Sequence, residues 1–388
     1  MKYNFDEIIP RAGTNSLKYD FARERGRPED ILPLWVADMD FQTPAEVIER
    51  LTALARHGIF GYTETKADYF EAVRSWFDCG FGYEPQPEWL VKTPGVVYAL
   101  ATAVRALTEP GQSVMIQEPV YYPFAGVVRA NGRRLINNRL VCQNGRYRMD
   151  LADFERQIVE HQVRLFLLCS PHNPVARVWT REELTALGQI CLKHHCPVVS
   201  DEIHCDFIYP GHQHHILAAL GPELADNALI CTAPSKTFNL AGLQTSNIFI
   251  QNQALRKRFV SEIQRSGYSQ LNTMGLAACQ CAYEQGRDWL EQLKIYLAQN
   301  LDFLRDFVAR RLPGLRLVEP EGTYLVWLDF SGLGLGQADL TNLIVRRAKV
   351  WLDDGRMFGQ GGDGFQRINI ACPRSLLETA LTRLARAI

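Results

Sequence analysis

Short, wholly apolar runs alternate along the first two thirds of this chain with segments of helical periodicity, and no other feature constrains its fold as strongly. Val114-Met115-Ile116, Leu165-Phe166-Leu167-Leu168, Val198-Val199 and Ala228-Leu229-Ile230 read as strands buried on both faces. Between them lie helical signals. Thr43, Pro44 and Glu46 read as a capping box ahead of Val47, Ile48, Leu51 and Leu54, and Thr180 with Glu183 as another ahead of Leu184, Leu187 and Ile190. Strands alternating with helices predict an α/β architecture, a mostly parallel sheet sandwiched by helices. The pattern changes after about residue 285. Trp289, Leu293, Leu297, Leu304 and Val308 mark one long amphipathic helix, closed by Pro313-Gly314. Strand patterns over 323–330 and 365–370 follow, then a last helix from a Ser375/Glu378 capping box. The expected organisation is an N-terminal segment (1–44) associated with a small domain, a large domain (45–285) and a small C-terminal α+β domain (286–388). A chain of 388 residues is long enough for it.

Charge and composition remove several function classes. Lys and Arg number 42 against 43 Asp and Glu, so no overall field recruits nucleic acid or an anionic membrane. No run approaches a membrane-spanning length, and the first thirteen residues lack the apolar core of a secretory signal. The expectation is a soluble, cytoplasmic protein. Its ten cysteines are scattered through apolar stretches and read as reduced, buried thiols rather than a disulfide framework.

Two motifs are set aside on spacing and context. Gly359-Gln360-Gly361-Gly362-Asp363-Gly364 fits G-x-G-x-x-G but precedes a strand pattern instead of opening a helix, so it reads as a loop. The groups Cys191/His194/His195/Cys196 and His212/His214/His215 lack zinc-ligand spacing; a solvated loop is expected for the histidines and no metal.

Four loops form a different kind of set, because each follows a predicted strand. They are Pro119-Val120-Tyr121-Tyr122-Pro123, Ser170-Pro171-His172-Asn173-Pro174, Asp201-Glu202-Ile203-His204 and Ala233-Pro234-Ser235-Lys236-Thr237-Phe238. Ligands of open parallel sheets bind outside the carboxyl ends of the strands. Together the loops supply an amine, a carboxylate, an amide and an aromatic face, the set that pyridoxal phosphate requires.

At these residues the chain resembles the fold-type I pyridoxal-phosphate enzymes of the class I/II aminotransferase-like superfamily, and within them the MalY/PatB-type cystathionine β-lyases. The resemblance runs through Leu34-Trp35-Val36-Ala37-Asp38-Met39-Asp40-Phe41, Phe60-Gly61-Tyr62-Thr63, the four loops, Gly322-Thr323-Tyr324-Leu325 and Arg367-Ile368-Asn369-Ile370-Ala371-Cys372-Pro373-Arg374. It implies an aspartate aminotransferase-like fold with a seven-stranded type of sheet. It also implies Lys236 as the Schiff-base lysine and acid/base, Asp201 on the pyridine nitrogen, Asn173 on the phenolic oxygen, and Tyr121 stacked on the ring with a catalytic part. His204 belongs to the same cofactor set. Phosphate contacts would come from the turn Gly95-Val96-Val97, from Ser235 and, across a homodimer, from the neighbouring subunit's Tyr62. Arg367 would grip the substrate α-carboxylate, with Ala37 as a further substrate contact.

The implied reaction is β-elimination from L-cystathionine or a related S-substituted cysteine, yielding a thiol (homocysteine), pyruvate and ammonia. That is a step of sulfur amino-acid metabolism serving methionine biosynthesis. The alternatives are an aminotransferase on the same scaffold, or a lyase that also binds a transcription factor; no basic stripe or docking helix marks such a surface. Four positions depart from the aminotransferase pattern. His204 replaces a tyrosine and Gln244 an arginine, as in the lyase branch. Ala233 replaces a serine and Ala176 a glycine, and the former removes one side-chain phosphate contact.

Overall fold

In a computed structural model, which describes residues 3–388, seven strands form one sheet. In spatial order they are Leu90–Thr93, Ser246–Phe249, Ala228–Thr232, Val198–Asp201, Val163–Cys169, Ser113–Ile116 and Arg134–Asn137. Only Ser246–Phe249 runs antiparallel to its neighbours; the other pairings are parallel. The expected apolar strands are all present. Successive residues face two separate cores. Leu165, Leu167, Val199 and Leu229 pack with Ala99, Leu100, Phe124 and Phe259, while Phe166, Leu168, Val198 and Ile230 pack with Phe154, Leu184 and Leu187. Burial on both faces is why these strands read as continuous apolar runs. Each such side chain contributes roughly 1.5–3 kcal/mol.

The second sheet is antiparallel, in the order Arg316–Leu317, Leu325–Asp329, Phe365–Asn369, Asp353–Asp354. It packs with the helix Arg287–Arg311, whose buried residues include Trp289, Leu293, Leu297, Leu304 and Val308, and with the final helix Arg374–Ala387. The N-terminal segment joins this part of the molecule: Leu32–Pro33 pairs in parallel with Val350–Trp351.

Local signals fared unevenly. The Thr180/Glu183 capping box forms in full. The other two do not. The helix Ala45–His57 starts after Pro44, and the Thr43 hydroxyl is buried without a partner. The last helix starts at Arg374, whose N–H donates to the Tyr296 hydroxyl at 2.7 Å, so Ser375 already lies inside the helix. The glycine motif is a loop before Phe365–Asn369, as read. A Cβ at Gly359 (φ +94°) would lie 2.1 Å from the Glu118 carboxyl carbon, and Glu118 accepts the Gln360 N–H at 2.9 Å. The glycine thus permits docking of this loop on the large sheet. His214 is not solvated: it is buried and bonded to Glu202 at 2.8 Å. All ten cysteines are free thiols, eight buried, with Cys79 and Cys142 exposed. Among the described residues no three His, Cys, Asp or Glu side chains converge as metal ligands.

Candidate active site

The large sheet reverses its direction of growth between Ser113–Ile116 and Val163–Cys169, and the strands' carboxyl ends open there onto one cavity of about 130 Å³. Tyr121, Asn173, Asp201, His204, Ser235 and Lys236 all line it, so the four strand-end loops converge as expected. Gly95, Val96, Val97 and Ala37 belong to the same wall.

Each side chain is delivered by simple local geometry. Asp201 is the last residue of its strand and lies in register between Cys169 and Cys231. Its carboxylate accepts one hydrogen bond, from the Ile203 N–H at 3.2 Å. Burial pushes the carboxyl up to about 7, with that hydrogen bond and the charge of Lys236 pulling the other way. Lys236 sits on the four-residue helical turn Pro234–Thr237, and its ammonium donates to the Ala37 carbonyl at 2.8 Å. Burial pushes this amine down to about 8; Asp38 and Asp201 oppose the shift, and Arg367 adds to it. The Tyr324 hydroxyl donates to the same carbonyl at 3.1 Å. Neutral imidazole is enforced at His204, where burial and the nearby charges of Lys236 and Arg367 drive the pKa far down; its Nδ1 has no partner. The Tyr121 hydroxyl is raised by burial, so it stays protonated.

Gly95 occupies φ +144°, a conformation costly for any residue with a side chain, and leads directly into the helix Val96–Leu107. No side chain caps this helix start. With Gly95, Val96 and Val97 lining the cavity, its uncapped first N–H groups are available there as an anion cradle. Ser235, Gln244 and Thr245 lie on the same wall. The features suit pyridoxal phosphate: an uncapped helix start for the phosphate, a tyrosine in the cavity wall, an under-bonded buried carboxylate for a cationic ring nitrogen, and a half-buried amine.

Arg367 stands one layer back. It is 2% exposed and reaches the cavity through Asn173, donating from Nη1 to Asn173 Oδ1 at 3.0 Å. Tyr62 is not brought to the cavity within one chain. It is 98% exposed and flanks a separate hollow beside Ser269–Thr273 residues Leu271 and Asn272. Sequence reasoning missed Cys169, Thr245 and Tyr324 at the site and Asp353 behind it. Tyr324 sat inside a quoted motif, and its neighbouring glycine and threonine were the available signal. Asp353 gave none.

The family described as "Aminotransferase class I and II" matches residues 29–384. Cystathionine beta-lyase PatB of Bacillus subtilis (strain 168) is 42% identical over 385 residues, 99% of this chain and 100% of that protein. Protein MalY of Escherichia coli (strain K12) is 34% identical over 388 residues, covering 100% of this chain and 99% of its own length. Cystalysin from Treponema denticola, whose structure contains a pyridoxal 5'-phosphate cofactor, superposes with a TM-score of 0.96 at 36% identity over 100% of this chain and 99% of that one. With the fold, the cavity and these likenesses together, the chain belongs to the aminotransferase class I and II family.

Proposed function

We propose that this protein is a pyridoxal-phosphate-dependent carbon–sulfur lyase that eliminates a thiol from L-cystathionine or related S-substituted cysteines. The observation that carries the reading is the convergence of Lys236, Asp201, Asn173 and Tyr121 on one cavity beside the Gly95 helix start. Names of relatives add support, since PatB is a cystathionine beta-lyase.

Pyridoxal phosphate, when bound, supplies an electron sink conjugated to the substrate's α-carbon. The chain's residues do the rest. Val96 and Val97 N–H groups and the Ser235 hydroxyl, all lining the cavity, would hold the phosphate. Asp201, which lines the cavity with one hydrogen bond, would pair with the ring nitrogen and keep it protonated, a pairing that favours the ionised carboxylate. Asn173 links two jobs: its Oδ1 accepts from Arg367, which leaves the amide nitrogen as the donor that would meet the ring oxygen. Arg367 holds the α-carboxylate, and that grip turns the Cα–H bond toward Lys236. The Lys236 amine, lowered to about 8, is poised to take the Cα proton near neutral pH and to return a proton to the departing thiolate. Water then completes the conversion to pyruvate and ammonia.

The reading places the enzyme in cytoplasmic sulfur amino-acid metabolism, releasing homocysteine for methionine synthesis. It also makes the working unit a homodimer of two-domain subunits (45–285 and 286–388, with 1–44 on the small domain). Ile59, Phe60 and Tyr62, all strongly exposed, would form the surface through which Tyr62 reaches the other subunit's phosphate. Product analysis tests the whole. The purified holoenzyme with L-cystathionine should release thiol, pyruvate and ammonia in equal amounts without a keto acid. Turnover that requires a keto acid and releases no thiol would replace this reading with transamination.

A further inference from the structure

Arg367 lies on the strand Phe365–Asn369 between Trp327 and Asp353 as its cross-strand neighbours. Its guanidinium is held from every side but one. Nη1 donates to Asn173, Nη2 donates to the Trp35 carbonyl at 2.9 Å and to the Asp353 carboxylate, and the Phe358 ring centroid lies 4.9 Å from its central carbon. Nε is buried and has no partner. Asp353 is itself 3% exposed, and among the described residues Arg367 is the only cation it pairs with.

A two-residue strand, Asp353–Asp354, pairs through its backbone and gives no reason to bury a carboxylate. An apolar side chain would suit the place better, because the desolvation of a buried pair rivals its attraction. Fixation of Arg367 supplies a reason. Trp35 O and the Asp353 carboxylate hang from one scaffold: Leu34 N–H donates to Trp351 O at 2.9 Å, and the Trp35 and Trp351 rings stack at 4.5 Å and 10°. This scaffold clamps Nη2, while Nη1 is tied to the cavity wall through Asn173. The long side chain therefore carries its ordering cost before any ligand arrives.

We propose that Asp353 is the positioning residue of the carboxylate site. It locks the Arg367 fork in place, so that selection of amino acids over amines lacking a carboxylate depends on it. This rests on the assignment of Arg367 made above.

The experiment uses the holoenzyme and reads dissociation constants from the visible absorbance of the bound cofactor, for L-alanine and for its decarboxylated counterpart, ethylamine. The wild type should bind alanine at least about tenfold more tightly, as one charge-assisted contact provides. Asp353→Ala should weaken alanine about tenfold or more and leave ethylamine within about twofold. Asp353→Asn, which keeps an acceptor but no charge, should fall between, at about three- to tenfold for alanine. Parallel weakening of both ligands in Asp353→Ala would show a merely structural role and overturn the proposal, as would unchanged alanine binding. Should Asp353→Ala fail to fold, Asp353→Asn decides: a selectivity loss of about threefold or more supports the proposal, and wild-type selectivity overturns it. A wild type that does not distinguish alanine from ethylamine would instead refute the Arg367 assignment itself.

Discussion

Arg177, fully buried, and Lys236, half-buried in the cavity wall, are both cations on segments that follow strands of the large sheet, yet their surroundings differ in kind. Arg177 donates from Nε to Glu321 at 2.7 Å, from Nη2 to Glu183 at 2.8 Å and from Nη1 to the Tyr147 carbonyl. Glu321 in turn accepts from the Val178 N–H at 2.9 Å and from Arg146 at 3.0 Å. Burial works to raise the Glu321 carboxyl, but the hydrogen bonds from Arg177 and Val178 hold it below the usual range. Lys236 has one carbonyl and Asp201 one N–H, and burial pushes their pKa values toward each other, to about 8 and about 7. Saturated partners make a structural ion network. Withheld partners leave a site able to bind a ring and move protons.

The sharpest way to break this contrast is to remove each cation. Lys236→Ala should cut thiol release by roughly 10³-fold or more, because it deletes both the covalent anchor and the acid/base. Thermal melting of the cofactor-free variant should match or exceed the wild type, since an amine whose charge its desolvated surroundings disfavour is gone. Arg177→Ala should do the reverse. It strands Glu321 without its main counter-charge and should cost about 3–5 kcal/mol of stability, read by denaturant unfolding, with kcat per folded molecule unchanged.

Asp201→Asn sharpens the comparison through pH. The folded pKa of Asp201, about 7, exceeds the ordinary aspartate value of roughly 3.9. Its protonated form therefore contributes stability that is complete below about pH 4 and is lost as the pH rises through about 7. In the cofactor-free protein Asp201→Asn should be no different at pH 4, and more stable than wild type at pH 8 by up to about 4 kcal/mol. Urea unfolding across that range checks it. In the holoenzyme the same change should cost activity, because the ring nitrogen loses its counter-charge. The smallest effect is expected beside Arg177. Ala176 is fully buried at φ +55°, and Ala176→Gly should change stability by under about 1 kcal/mol, relief of the left-handed strain being offset by glycine's chain entropy. Calorimetric melting reads this one.

Legibility in the sequence followed the range of the forces involved. Four central strands of the large sheet and the strand-end loops could be read because burial on both faces writes itself into consecutive residues, as in Val163–Cys169; the count of seven came from the family resemblance. The loops of Lys236, Asp201, Asn173 and Tyr121 stood out for the same reason, each following a readable strand, while the resemblance assigned the roles of these four. The start of the last helix was misread because distant groups replaced the local cap. Arg374 N–H is taken by Tyr296, and Arg374 Nε by Asn300 at 2.7 Å, so the nearby serine was misleading. His214 was misread because its partner Glu202 is reached only through the fold. Asp353 was invisible because a two-residue strand carries no periodicity, and its partner lies across a ladder. Tyr62 could be picked from its motif, but one chain alone leaves it in solvent.

The central claim is that Lys236, the under-partnered amine of this cavity, carries the cofactor. Borohydride reduction of the holoenzyme followed by peptide mass spectrometry tests it directly. The account predicts a single pyridoxyl adduct on Lys236, lost together with the visible absorbance in Lys236→Ala. An adduct on any other lysine, or undiminished bound absorbance in that variant, would contradict it.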